Sequence, residues 1–196
     1  MHPELISLSL FMFATSCSPG PNNIVASYSG FNFGVLKTIP HMLGVIFGFT
    51  TLVSLMNFGL INIFQKFPII QEILKYTGSI FLIYLAYKIS FSKNSSDNTA
   101  KNPVRFIETF FFQFINPKSV IVSVIMVSTY VHNGKDFLLH SFWVIGVAFL
   151  FAVISINFWT FLGKFLRRFA SNEKFIKRFN YVMSFLLLTC IATFYY

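Results

Sequence analysis

Apolar positions gather into six long runs, about 4–28, 38–63, 71–91, 106–131, 137–162 and 175–195. Each can supply the roughly 20 residues with which a helix crosses a hydrocarbon core. None alternates like a barrel strand, so the pattern predicts a helical membrane bundle of six spans. Two runs are interrupted where an unbroken helix would tolerate nothing of the kind. The first, Leu5 to Ile24, contains Ser18-Pro19-Gly20-Pro21-Asn22-Asn23, and the fourth, Phe106 to Tyr130, contains Asn116-Pro117-Lys118. Pro19 and Pro117 lie 98 positions apart in a chain of 196 residues. Each half thus opens with a segment broken at a matching place, the pattern that marks a substrate site in transporters built from two repeats.

The polar positions divide the chain. Ser92 to Pro103 is a low-complexity stretch that reads as a solvated linker, giving repeat one at 1–91, a cytoplasmic linker at 92–105 and repeat two at 106–196 in one transporter domain. Ten of the 15 Lys and Arg fall in connectors 88–105 and 164–178, and Lys37 shares their side. Only Lys66, Lys75 and Lys135 fall on the other side. The positive-inside rule then places both termini outside, and three spans per half make the halves an inverted 3+3 repeat with broken helices 1 and 4 antiparallel.

Composition agrees. With 55% hydrophobic and 11% charged residues, against about 25% charged in soluble domains, the chain reads as an integral membrane protein without a soluble enzyme domain. The net charge of +9 is spread by topology and implies no nucleic acid. Run one has no basic segment ahead of it and is expected to stay as a helix, not a cleaved signal. Cys17 and Cys190, in apolar segments at opposite ends, read as packing residues. Gly30, Gly34, Gly44 and Gly48 offer small faces for helix packing. Asn57 and Asn157 are expected to bond between helices.

The breaks carry the chemistry. Pro19, Pro21 and Pro117 remove amide donors from the carbonyls of Thr15, Cys17 and Gln113, and free carbonyls at membrane depth cost several kcal/mol. A half-helix ending near Cys17 suits an ammonium group, and one starting near Asn22 suits a carboxylate. Together they fit an amino-acid zwitterion. The competing reading is a kink satisfied by Ser16, Ser18, Asn22 or water. Lys118 is the one basic residue well inside a span, a carboxylate anchor or a proton-coupling group. No Asp or Glu falls mid-span, so His41, read as interfacial, is the other proton-coupling candidate. Nothing in the spacing suggests a metal site, a catalytic residue or a cofactor.

Pro19-Gly20-Pro21-Asn22, Gly30, Gly34, Gly44, Gly48, Gly78 with Tyr84-Leu85, and Phe114-Ile115-Asn116-Pro117-Lys118 together resemble the LysE/RhtB family of amino-acid exporters over essentially the whole chain. Ser18 to Ile24, Phe112 to Asn116, Ser128 to Val131, Trp143 to Val147, and the tail from Gly163 through Arg167 to Tyr196 are similar to its cysteine/O-acetylserine exporter branch. The resemblance implies proton-driven efflux across the bacterial inner membrane. The family's exporters of basic amino acids carry an acidic residue in span two, where this chain has Thr50 and Thr51, so lysine and arginine are poor substrates.

These readings converge on a six-span secondary transporter exporting small neutral amino acids (cysteine, O-acetylserine or homoserine-like) by proton antiport. Pro19, Gly20, Pro21, Asn22 and Asn23 form one half of the expected site, and Asn116, Pro117 and Lys118 the other. The expected partners are the amino acid, protons and the lipid bilayer, and a homo-oligomer is compatible with the sequence. A passive small-solute channel or a non-transporting scaffold are the alternatives.

Overall fold

Proline and glycine set where the helices start and bend. A computed structural model describes residues 3–91, 103–132, 134–170, 172–192 and 194–195, and among these it is helical with no strand. Most of the expected linker, 92–102, lies outside the described residues. The elements are α1 (Pro3–Cys17), α2 (Pro21–Leu55), a π-helical turn at Met56–Leu60, α3 (Ile61–Lys66), α4 (Pro68–Ser90), α5 (Phe106–Ile115), α6 (Pro117–Tyr130), α7 (Phe137–Arg167) and α8 (Glu173–Ala192). Proline stands first in α2, α4 and α6, where its missing N–H costs no intrahelical bond. Both predicted breaks are present, and α5 and α6 meet at 62° across Asn116.

Helix α2 is not one rod. Gly34 has φ 78° and ψ 172° inside it, a backbone that residues with a Cβ rarely adopt. Nineteen residues of straight helix would span about 28 Å, yet His41 Nε2 lies 3.3 Å from the carbonyl oxygen of Asn22. The chain therefore doubles back at Gly34. The expected packing role of Gly34 is thereby corrected: a Cβ there would meet nothing within 4 Å, so conformation and not contact requires the glycine.

The register of contacts gives the same result. Before Gly34 the chain ascends along α7: Ser155 Oγ reaches Asn23 Oδ1, Ser27 Oγ donates to the Trp159 carbonyl, and the Arg167 guanidinium stacks over Phe31. After Gly34 it descends, and Asn57 Nδ2 donates to Ser141 Oγ. Asn57 thus bonds between helices as expected. Asn157 does not, since its Nδ2 donates to the Val153 carbonyl one turn back in α7.

Three apolar clusters hold the elements. One joins α1, α2 and α7 through Leu8, Met12, Val45, Phe49, Ala148 and Ala152. A second packs the first turns of α2 against α4 and α8, and a third lies around Leu52, Met56 and Val127. Among the described residues four helical stretches are long and apolar enough to cross a membrane, Pro21–Phe64, Pro68–Ser90, Phe137–Arg167 and Glu173–Ala192, with α5 and α6 a fifth if taken as one bent span. The difference from six has two sources: α1 is short by itself, and Pro21–Phe64 contains the reversal at Gly34. Cys17 is exposed, against the packing role expected of it, whereas Cys190 is buried; no disulfide joins them.

Candidate functional site

Break one and break two meet. Lys118 Nζ donates to Ser18 Oγ at 2.8 Å and to the Ser18 carbonyl at 3.1 Å, so the second residue of α6 reaches the end of α1 across the centre of the fold. Gly20 makes room for it: a Cβ there would lie 2.9 Å from Nζ and 3.0 Å from Cδ of Lys118. Asn116 caps α6 by accepting from the Lys118 amide at 3.2 Å, and its Nδ2 donates to Ser119 Oγ at 3.0 Å.

Several carbonyls at break one have partners within the protein. The Thr15 carbonyl accepts from Ser18 Oγ at 2.7 Å. The Ser16 carbonyl accepts from Asn23 Nδ2 at 2.9 Å and from Ser155 Oγ at 2.8 Å, and the Ser18 carbonyl also accepts from Asn23 Nδ2. The acceptor that Pro19 frees at Thr15 is thus met by Ser18, as the kink reading expects. What the break leaves at the start of α2 is the other polarity, the amides of Asn22 and Asn23, which have no carbonyl a turn behind them.

Gln113 ties the halves together. Its Nε2 donates to Asn22 Oδ1 at 3.1 Å while Asn22 Nδ2 donates to its Oε1 at 2.8 Å, a reciprocal amide pair between α2 and α5. Nε2 also donates to the Thr109 carbonyl, and Oε1 accepts from Ser119 Oγ at 3.0 Å. Gln113→Leu keeps the bulk and removes all four bonds, leaving the half-buried Asn22 amide without its partner at about 1–3 kcal/mol. The melting temperature of the purified protein in detergent should fall by about 5 °C; an unchanged midpoint would mean the pair carries no weight.

His41 sits deeper than its sequence position suggested. It is 2% exposed, with Nδ1 2.9 Å from Thr109 Oγ1 and Nε2 3.3 Å from the Asn22 carbonyl. His41 is thus buried within the protein, where it joins break one to α5.

Between the breaks lies a cavity. Gly20, Pro21, Asn22, Asn23, Asn116 and Lys118 line it, whereas Pro19, Pro117 and His41 are not in its lining. Lys118 is the one charged residue in the lining. Four polar side chains were not singled out from the sequence: Ser119 and Ser155, and those of Thr15 and Gln113, of which only the backbone carbonyls were read. Each lies in an apolar run, where one hydroxyl or amide looks like any helix-packing residue.

The LysE type translocator family matches residues 13–196. The chain is 29% identical over 201 residues to the cysteine/O-acetylserine efflux protein of Escherichia coli strain K12, with 100% of both chains covered. It is 28% identical over 201 residues to the protein so described in Salmonella typhimurium strain LT2, again with 100% of both covered. No solved structure gives a significant match.

Proposed function

Because the chain belongs to the LysE type translocator family, we propose that it exports small neutral amino acids of the cysteine, O-acetylserine or homoserine kind across the bacterial inner membrane, by proton antiport. It is a transporter and not an enzyme. The observation that carries the substrate class is the cavity joining both breaks with one ammonium and no carboxylate in its lining. A substrate carboxylate would take Lys118 Nζ from Ser18 and face the amides of Asn22 and Asn23. The substrate ammonium would face Asn23 Oδ1, which accepts one long bond of 3.3 Å from Ser155. A lysine or arginine side chain would find no counter-charge there.

The six-span inverted repeat is supported by an exchange of contacts. In one half of the bundle α1 and the following turns of α2 run parallel to α7, with Glu4 beside His140 in the first turn of α7 and Ser16 bonded to Ser155. In the other, α5 runs parallel to the second limb of α2, with Gly44 against Phe106 and Gly48 against Phe110. The third member of each half, α4 and α8, pairs antiparallel, Ser79 beside Tyr195 and Ser90 beside Ser184. Swapping the halves maps each relation onto its counterpart, as an in-plane two-fold demands. Both termini are then outside.

His41 is our candidate for carrying the proton, with Lys118. The Asn22 carbonyl only accepts, so Nε2 carries hydrogen. The single Thr109 hydroxyl proton points either to Nδ1 or to the Arg105 carbonyl, 3.1 Å away. When Nδ1 gains a proton it donates to Thr109, whose own proton turns to Arg105. Both states of the ring keep their bonds, which suits a group that exchanges protons during the cycle.

The test is efflux from preloaded right-side-out vesicles, comparing cysteine, O-acetylserine, homoserine, threonine and lysine. One neutral amino acid should leave faster with the protein than without it, lysine should not, and a protonophore should slow the loss at a fixed substrate gradient. Flux indifferent to the protonophore would instead favour the passive channel. Equal loss with and without the protein would defeat the substrate assignment.

A further inference from the structure

A second group of side chains lies well away from the central cavity. Glu4 in the first turn of α1, His132 after α6 and His140 in the first turns of α7 bring one ligand atom each to within 4.8 Å of the others. They come from three separate segments, and nothing in their sequence spacing announces them. The two imidazole rings stand 5.3 Å apart at 73°. His140 Nδ1 is buried with no hydrogen-bond partner, a cost of about 1–3 kcal/mol that packing alone does not explain.

We propose that Glu4, His132 and His140 bind a divalent transition-metal ion of the zinc class. Two imidazoles and one carboxylate suit zinc and its neighbours, whereas calcium and magnesium prefer oxygen ligands throughout. Tetrahedral bonds of about 2.0–2.2 Å place ligand atoms about 3.4 Å apart, so side-chain shifts of about 1–1.5 Å close the set. Three protein ligands leave a coordination position open, and a hollow of about 390 Å³ bounded by Glu4, His140, Leu5, Leu8 and Trp143 adjoins it. The ion joins α1 to the α6–α7 connector, where Ser7 Oγ and Tyr130 OH already meet at 3.0 Å. It thereby ties the two broken helices to each other at one end of the bundle. This assignment does not depend on the exported substrate.

Tag-free protein in detergent, equilibrated with Zn²⁺ and freed of excess by dialysis, should retain one ion per chain. With Co²⁺ it should show the visible absorption of a low-coordinate nitrogen and oxygen site. Zn²⁺ should also raise the melting temperature. His132→Ala with His140→Ala should lose the ion, the spectrum and the thermal shift, and Glu4→Gln should weaken binding about tenfold or more. His2→Ala serves as the control against binding at the chain start and should bind like wild type. Absence of stoichiometric zinc in wild type, retention of the ion in the double variant, or loss of it in His2→Ala would each overturn the assignment.

Discussion

Lys118→Met should lower efflux of the preferred amino acid about 10- to 100-fold while leaving the protein folded. Methionine nearly matches lysine in length and keeps the stem that packs beside Gly20, but it cannot meet a carboxylate. A hydrogen bond to a charged group is worth about 1.5–3 kcal/mol, and about 1.4 kcal/mol is tenfold in rate. The cost to the fold is smaller, because Ser18 Oγ still donates to the Thr15 carbonyl when Nζ is gone and Asn23 Nδ2 still reaches the Ser18 carbonyl. Lys118→Arg should not restore transport, since a Cβ on Gly20 would already lie within 3.0 Å of the lysine tip and a guanidinium is broader. Gly20→Ala makes the converse test: the methyl meets only the movable end of Lys118, so folding should survive while Nζ is pushed from Ser18 and efflux falls. Wild-type efflux from Lys118→Met, at equal membrane abundance, would remove Lys118 from the substrate path and leave it a structural tie between the breaks.

Much of this arrangement could be read before folding was considered, and the residues show why. Proline and glycine announce themselves, so both breaks and the starts of α2 and α6 were legible at Pro19, Pro21 and Pro117, whereas Pro68 starts α4 three residues ahead of the apolar run read from 71. The reversal at Gly34 was not localised, because Tyr28 to Leu36 is mostly apolar and offers a small glycine face that imitates packing. A turn was expected near Lys37; the backbone makes it three residues earlier, where φ is positive. Gln113 was invisible for a different reason. Its role arises from Asn22, 91 positions away, and nothing short of tertiary structure places the two amides face to face. The Glu4, His132 and His140 group is the extreme case, ligand chemistry assembled wholly by the docking of α1 beside α6 and α7. Ser155, by contrast, is a hydroxyl on an apolar helix whose bond to the Ser16 carbonyl satisfies an acceptor in the last turn of α1.

That placement of Ser155 depends on a seam of glycines, and Gly163→Ala is the substitution that should damage the fold most for its size. A Cβ on Gly163 would run into the carbonyl oxygen of Ser27, with the Ser27 carbonyl carbon and Cα close behind, and Gly30 faces the Thr160 carbonyl in the same way. These neighbours are backbone and cannot rotate aside. In a helix interior Gly→Ala alone gains about 0.8–1 kcal/mol, while overpacking costs about 1–3 kcal/mol or more. Separating the helices also stretches the Ser27 Oγ bond to the Trp159 carbonyl, now 2.9 Å, so the net should be a loss of about 2 kcal/mol. Gly146→Ala supplies the internal control on α7, because a Cβ there meets nothing within 4 Å and only the propensity gain remains. The two variants should shift the melting temperature in opposite directions, Gly163→Ala down by several degrees and Gly146→Ala slightly up. Shifts of the same sign would mean that α2 and α7 do not approach as closely as drawn, and that the alignment of Asn23 with Ser155 must rest on something other than this seam.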